Sequence, residues 1–129
     1  MTENHESGHG KIPGLELIRE MRQEQIEKHG FNSEHDDQWK HAELVMAAIY
    51  YAMPDEVDVS GDRYTVTLEP VSFFVKTGWN WELFENRHAK STIECLAIAG
   101  ALIAAEIDRL QRSLEMYERE AREVYDGDD

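Results

Sequence analysis

Two acidic residues stand alone in stretches of sequence that otherwise avoid water. Glu43 is the one charged residue in the stretch 42–53, and Glu94 is the one charged residue in the stretch 91–105. A buried carboxylate costs several kcal/mol unless a cation, a set of hydrogen-bond donors or a bound proton satisfies it. Mg²⁺ (or Mn²⁺) held between two helices would satisfy both, because such ions bind oxygen ligands and keep waters for a phosphate substrate. Glu43 and Glu94 are therefore predicted metal ligands.

Asp36 and Asp37 precede Glu43 on the same predicted helix. Asp36 and Glu43 are seven residues apart, so they share a face but are roughly 10 Å apart along the axis. Asp36 is a third predicted metal ligand, provided that Glu94 or a second ion closes the site. The alternative is structural: acids in a first turn interact favourably with the positive end of the helix dipole, and Asp36 would pair with Lys40. In the same way, Glu43 would sit at a helix edge and Glu94 would meet Arg87 or Lys90.

A small basic group and two tryptophans supply candidate contacts to a phosphorylated ligand. Arg87, His88 and Lys90 lie just before Glu94, near the start of the third predicted helix, where they would bind phosphates. Trp79 and Trp81 would stack on a nucleobase. The structural alternatives are that the basic residues offset acidic neighbours and that the aromatic residues pin a loop to the core.

Three helices and a hairpin are predicted to position these residues. Apolar spacing predicts helices over 13–28, over 36–53 with a cap at Ser33, and over 88–124. Alternation around a Ser-Gly-Asp turn predicts a hairpin over 58–68. The fold class is therefore all-α, a bundle of three principal helices with a short β-hairpin insertion. The predicted organisation is a flexible arm over 1–12, one helical domain over 13–125 with an insertion at about 55–86, and an acidic tail over 126–129.

The apolar residues of the third helix predict a partner. Ile98, Ala101 and Ala105 lie opposite the main apolar stripe of this helix, so it has two apolar faces. Three helices can hardly cover both faces, which predicts a homodimer or a larger homo-oligomer that pairs through helices.

Composition excludes several classes of protein. The chain has 129 residues, enough for one domain, and a formal net charge of −14, which argues against direct binding to nucleic-acid phosphates. The apolar run 93–105 is too short to span a membrane, and the polar start is not a signal peptide. The single cysteine, Cys95, excludes an intrachain disulfide and favours a reducing, cytoplasmic location.

Four segments together resemble a known group of proteins. They are 22–37, which contains the run Glu-His-Asp-Asp, 41–52, the Trp-rich 78–81, and 98–110. They resemble small phage and prophage proteins related to the dATP/dGTP diphosphohydrolase N-terminal family, which is itself similar to MazG-like all-α nucleoside triphosphate pyrophosphohydrolases. The resemblance covers about residues 21–110 apart from the hairpin.

The resemblance implies Mg²⁺-dependent cleavage between the α and β phosphates of a nucleotide, on helices that dimerise, in the cytoplasm of a bacterial host. The wider superfamily carries a Glu-Glu-x-x-Glu helix and a Glu-x-x-Asp helix. The first motif maps onto 39–43, where Glu43 alone is retained. The second maps onto 94–97, where Glu94 is retained and the Asp is replaced by Ala97.

Carried onto this chain, the resemblance implies that Asp37 orients the attacking water and that Lys90 or Arg87 stabilises the leaving pyrophosphate. The loop with Trp79 and Trp81 would close over the base. Two hypotheses follow: a metal-dependent (deoxy)nucleoside triphosphate pyrophosphohydrolase, or a non-catalytic nucleotide-binding or host-protein-interaction module on the same helices. A DNA-mimic role ranks third.

Overall fold

The computed structural model describes residues 11–40, 42–65, 87 and 89–127, with the side chains of 125–127 excepted. Within this part the chain is mostly helical, with one small antiparallel sheet. Helix α1 is Gly14–His29, α2 is Ser33–Asp36, and α3 is Glu43–Ala52. Strands β1, Glu56–Val59, and β2, Asp62–Thr65, precede the long helix α4, Thr92–Gly127. The predicted all-α class is confirmed at this level.

Helix α1 agrees with its predicted bounds to within one residue. It follows Pro13, whose fixed φ suits the start of a helix. It ends at Gly30, which has a left-handed φ of 72°. The N–H of Phe31 then donates to the carbonyl of Gln25 at 2.9 Å and closes the last turn.

The predicted second helix, over 36–53, is wrong as one continuous element. Helix α2 ends at Asp36, and α3 begins only at Glu43, after Ala42 with a left-handed φ of 69°. The cap of α2 is Asn32, whose Oδ1 accepts a hydrogen bond from the His35 N–H at 2.9 Å, and not Ser33. A continuous helix would place Asp36 and Glu43 on one face. The break lets them reach different partners, as described below.

The break at Ala42 supports a stability prediction. An L-residue with this backbone conformation is strained by its Cβ, whereas glycine adopts the conformation freely. Ala42→Gly is therefore expected to raise the free energy of unfolding by about 0.5–1 kcal/mol in urea titrations. The exposed Ala121→Gly, in the interior of α4, is a control with the opposite sign, at about 1 kcal/mol of destabilisation. Equal destabilisation by both would mean that a helix continues through residue 42.

The hairpin is present, with its turn at the predicted position. Ser60 and Gly61 both have left-handed φ values, 54° and 88°, as a two-residue type I′ turn requires. The strands start two residues earlier than predicted, and Val57 pairs with Tyr64 across them. The predicted residues 66–68 lie outside the described part of the chain.

Helix α4 is the central element. Its 36 residues span about 54 Å, and the hydroxyl of Ser91 caps it by accepting from the Glu94 N–H at 3.1 Å. The predicted start at His88 is early, since the described helix begins at Thr92.

The core lies where α3 and α1 pack against the first half of α4. Its fully buried side chains are Leu44, Ala47, Ala101 and Ala105, and Leu102 is nearly so. Small residues on α4 let the other helices come close. A Cβ on Gly100 would lie 2.6 Å from Ile18 Cδ1 of α1.

The two apolar faces predicted for the long helix are both present. Ile98, Ala101 and Ala105 face the core, while Ile107 and Leu110 are half exposed on the other side. In the described part of the chain, no helix combines the length and the apolar composition needed to cross a membrane.

Candidate functional site

A cluster of buried charges lies around Arg109 of α4. Arg109 and Glu106, one turn apart, are only 9% and 8% exposed. Arg109 Nε donates to Glu106 Oε1 at 2.6 Å, and Nη2 donates to Oε2 at 3.0 Å. This two-point pairing is the strongest geometry available to a guanidinium and a carboxylate. The hydrogen bond to Glu106 raises the pKa of Arg109 above its ordinary value, and the negative charges of Asp37 and Glu43 act in the same direction.

Glu43 contributes to this cluster from α3. It is 1% exposed, as its apolar surroundings predicted, and it is the first residue of the helix. The positive end of the helix dipole favours a carboxylate there. Its charge also acts on Arg109. Arg109 is thus one cation of the same chain whose charge interacts with this buried acid.

Asp36 belongs to a second ion pair. It is fully buried, and its Oδ2 accepts from Arg22 Nη2 of α1 at 2.9 Å. The same arginine donates to the carbonyl of Phe31 at 3.0 Å, so it connects α1 to α2. The other oxygen of Asp36, Oδ1, lies 2.8 Å from His35 Nδ1, so each oxygen of this buried carboxylate has a polar neighbour.

The tautomer of His35 follows from its neighbours. Trp39 Nε1 lies 3.3 Å from His35 Nε2, and an indole nitrogen can only donate. Nε2 therefore accepts, and the ring proton sits on Nδ1 and points to Asp36. The ring also stacks on Phe31, with centroids 4.3 Å apart. These contacts hold the ring of His35 between Phe31, Trp39 and Asp36.

Asp37 lies at the rim of the Arg109 cluster. It is half exposed, and its Oδ1 accepts from Arg112 at 2.8 Å and 3.2 Å. The two acids that adjoin in sequence therefore pair with different arginines, Arg22 on α1 and Arg112 on α4.

Glu94 lies elsewhere. It lines a groove of about 220 Å³ between α1 and α4, beside Glu20, Glu24 and Met21. Fifteen residues separate it from Arg109 on one helix, which is about 22 Å along the axis. The structure does not bring Glu94 to Glu43, and Asp36 lies in its own ion pair.

The described residues therefore do not form a ready set of metal ligands. Among the described residues, no group of three or more His, Cys, Asp and Glu side chains is placed to hold a metal ion. The predicted ligands Asp36, Glu43 and Glu94 occupy three different environments. The first two lie beside arginines, and the third lies in the acidic groove.

Arg87 and Lys90, two of the predicted phosphate-binding residues, lie on one cavity. They line a cavity of about 520 Å³ between the end of α3 and the start of α4. Arg87 is mostly buried, with Nη1 2.8 Å from Asp55 Oδ1 and its guanidinium 5.2 Å from the ring centre of Tyr50. The cavity also contains Tyr51 and Cys95. The predicted ligand-contacting residues His88, Trp79 and Trp81 lie outside the described residues.

Burial changes the titration of two groups in this cavity. It raises the pKa of Tyr51 to about 12, and it raises the pKa of the Cys95 thiol. Below pH 10, Tyr51 is protonated in both the folded and the unfolded chain, so its ionisation does not change the free energy of unfolding. As the pH rises from 10 to about 12, the unfolded chain ionises first, so stability is lost in that window.

This predicts an alkaline signature. One tyrosinate absorbance step is expected near pH 12, and it should disappear in Tyr51→Phe, which should also keep more of its stability above pH 10. Tyr117→Phe, an exposed control, should leave that late step in place. Titration of every tyrosine near pH 10 would contradict the burial of this hydroxyl.

Sequence reasoning missed the arginines. Arg22, Arg109 and Arg112 read as ordinary surface charges, yet each is paired with an acid. The acid paired with Arg109 lies one turn earlier on the same helix, and the other two acids lie at the end of α2 and directly after it. One local signal was available: the spacing of Glu106 and Arg109 places opposite charges on one helix face. The pairings of Asp36 and Asp37 span 14 and 75 residues and leave no such local trace.

Comparisons with protein-family models, with curated proteins and with solved structures gave no match.

Proposed function

We propose that this chain is a non-catalytic helical interaction module that works as a homodimer or a larger assembly of its own copies. The observation that carries the proposal is an apolar stripe on α4, which is 48–71% exposed. The stripe, called the α4 stripe below, consists of Leu96, Ile103, Ile107, Leu110, Leu114 and Tyr117. A second helix laid along it would remove this surface from water, which is the main driving force of association.

The spacing of the α4 stripe supports pairing with another helix. If Gly100 is counted as a stripe position, its members alternate at steps of four and three residues from 96 to 117. That alternation keeps side chains on one seam and is typical of helices that pack side by side over several turns. It continues for about 32 Å, longer than the stretch that packs against α3.

The buried acids support a role without catalysis. A pyrophosphohydrolase of the resembled kind needs carboxylates that are free to hold Mg²⁺ or Mn²⁺. Here Asp36, Asp37 and Glu106 are each bonded to an arginine, and Glu43 lies by Arg109. A metal would have to displace these side chains, at a cost of several kcal/mol for each buried pair.

The test is the mass of the chain in solution, measured by sedimentation equilibrium. We expect a dimer or larger species at micromolar concentration, and monomers for Ile107→Asp. Ile49→Asp is a matched control, because Ile49 is similarly exposed but lies on the outer side of α3. This variant should assemble like the unaltered chain. A monomeric unaltered chain would overturn the proposal.

A second candidate function is binding of a nucleotide or another phosphorylated ligand. The observation in its favour is that Arg87 and Lys90 line one cavity at the start of α4, where backbone N–H groups also favour an anion. Calorimetric titration with dATP should then show binding that persists when Mg²⁺ is chelated and that Lys90→Ala removes. Lys40→Ala, on the exposed segment after α2, is the control.

The enzyme hypothesis makes the opposite prediction and is tested with the same protein. Release of pyrophosphate from a nucleotide panel would depend on Mg²⁺ or Mn²⁺ and would be abolished by both Glu43→Ala and Glu94→Ala. Such a result would replace the interaction module with a pyrophosphohydrolase. We expect no metal-dependent release from the unaltered chain, because its buried acids are held by arginines.

A further inference from the structure

The distribution of charge along α4 is uneven and bears on how two copies would meet. Between Glu115 and Asp126 the helix carries five acidic and two basic residues. Its opposite end begins just after Lys90 and Arg87, of which Arg87 is paired with Asp55, and it has one acid, Glu94, in its first turn. The helix dipole adds positive character there, so the two ends of the helix differ in charge.

Among the described residues, none buries the second half of α4. Every residue from Ser113 to Val124 is exposed, on all sides of the helix. Isolated helices in water are marginal, and most helical stability in proteins comes from packing of an apolar face. The stripe residues Leu114 and Tyr117 supply such a face at this end.

We propose that two copies pair antiparallel along the α4 stripe, about a two-fold axis at the level of residue 105, so that the acidic end of each helix lies over the Lys90 end of the other. The inference rests on the self-association proposed above and specifies its geometry. Each copy presents the same surface to the other, as a closed dimer requires.

The register follows from the stripe itself. An axis at the level of residue 105 places Leu96 opposite the partner's Leu114, and Ile103 opposite the partner's Ile107. The gap in the stripe at Gly100 is filled by Ile18 of α1. Along most of the α4 stripe, large side chains of one copy therefore face large side chains of the other.

The charges at the two ends of α4 favour antiparallel over parallel pairing of the two copies. In the antiparallel register Glu120 falls opposite the partner's Lys90. In a parallel pair, Glu118 and Glu120, which flank the stripe at its acidic end, would face their own copies. Like charges at that distance repel, and opposite charges attract.

The available area is sufficient for a specific dimer. Seven apolar side chains, the α4 stripe and the neighbouring Ile93, are about half exposed. If each offers roughly 90 Å², two copies would bury on the order of 1,200 Å², the lower bound for specific interfaces. An interface of that size is sensitive to single charged substitutions at its centre.

Cysteine cross-linking tests the direction and the register together. In a Cys95→Ala background, Leu96→Cys and Leu114→Cys are made separately, one with a size tag, and then mixed and mildly oxidised. We expect the two variants to cross-link to each other at least tenfold more than either does to itself. Ile103→Cys mixed with Ile107→Cys is a second pair, for use if the first alters helicity by circular dichroism.

Each outcome has a distinct meaning. Self-cross-linking of Leu96→Cys or Leu114→Cys would indicate a parallel pair and overturn the inference while self-association stands. Preferential linking of Ile103→Cys to Leu114→Cys would displace the axis from residue 105 and overturn the register. Monomers with no cross-link would overturn the proposed function as well. Met116→Cys, exposed on another face of α4, is the negative control.

The contribution of charge is tested separately. Lys90→Glu should raise the dimer dissociation constant by about tenfold, because the symmetric dimer loses two attractive pairs. Lys28→Glu, the same change on α1 away from the stripe, should leave the constant within twofold. Equal effects of the two variants would show that net charge, and not the placement of Lys90, sets the affinity.

Discussion

Replacement of Arg109 with methionine is expected to lower the free energy of unfolding by about 3–5 kcal/mol. The substitution keeps much of the side-chain volume but removes the guanidinium that is bonded to Glu106 and whose charge interacts with Glu43. Glu106 would then be buried without its bonded cation, and Glu43 would lose the attraction of a positive charge. The measurement is urea unfolding at neutral pH, monitored by circular dichroism, with protein concentration held constant because the proposed self-association would contribute to stability.

Two further variants separate the buried pair from general surface effects. Arg112→Met removes a partly exposed arginine paired with the half-exposed Asp37, and it should cost under about 1 kcal/mol. Combining Arg109→Met with Glu106→Leu should recover part of the loss, because the double change leaves no charge at Glu106 to satisfy. If the double variant were less stable than Arg109→Met, the account of a buried ion pair would be wrong.

The second large effect is expected at Asp36. Asp36→Ala should lower the free energy of unfolding by about 3 kcal/mol, because it strips a fully buried carboxylate from Arg22 and from the ring of His35. The loss should also loosen the junction of α1 and α2, which the arginine bridges through the carbonyl of Phe31. Thermal and urea unfolding of the same variant provide the measurement.

The adjacent residue supplies a matched control. Asp37→Ala removes the same side chain one position later, at a site that is half exposed, and should cost less than about 1 kcal/mol. Similar losses at the two positions would indicate that both acids act through the helix end in the same way. That result would contradict the distinction between a buried and a peripheral ion pair.

Local rules were sufficient for much of the fold. The end of α1 at Gly30 and the hairpin turn at Ser60 and Gly61 are positions at which the backbone takes a left-handed conformation. Glycine, which adopts that conformation freely, stands at positions 30 and 61, so local sequence and structure agree there. The long α4 was equally readable, because its apolar spacing persists over many turns.

The break between α2 and α3 could not be read in the same way. Apolar residues continue from Trp39 onward at helical spacing, and alanine at position 42 is the best helix former. What overrides this preference is tertiary: Asp36 pairs with α1 and Glu43 lies by α4. Partners so far apart in sequence do not contribute to a local pattern.

In the candidate site too, features set by local sequence were predictable, and features set by distant partners were not. The apolar surroundings of Glu43 predicted its burial and its need for a cation, hydrogen-bond donors or a bound proton. They did not single out Arg109 as a neighbouring charge, because an arginine between an aspartate and a leucine reads as a surface residue. Glu94, predicted by the same rule, is only partly buried, because its side of α4 borders the groove along α1.

The exposed outer half of α4 has a consequence for local opening. The stretch of α4 from Leu102 to Arg109 contributes buried residues to the folded core, so its backbone amides should exchange with deuterium only on global unfolding. The described residues from Ser113 to Val124 are exposed on all sides of the helix, so in dilute solution their amides should exchange within seconds to minutes. Their protection should rise with protein concentration, which would make exchange at this end of the helix a direct reporter of assembly.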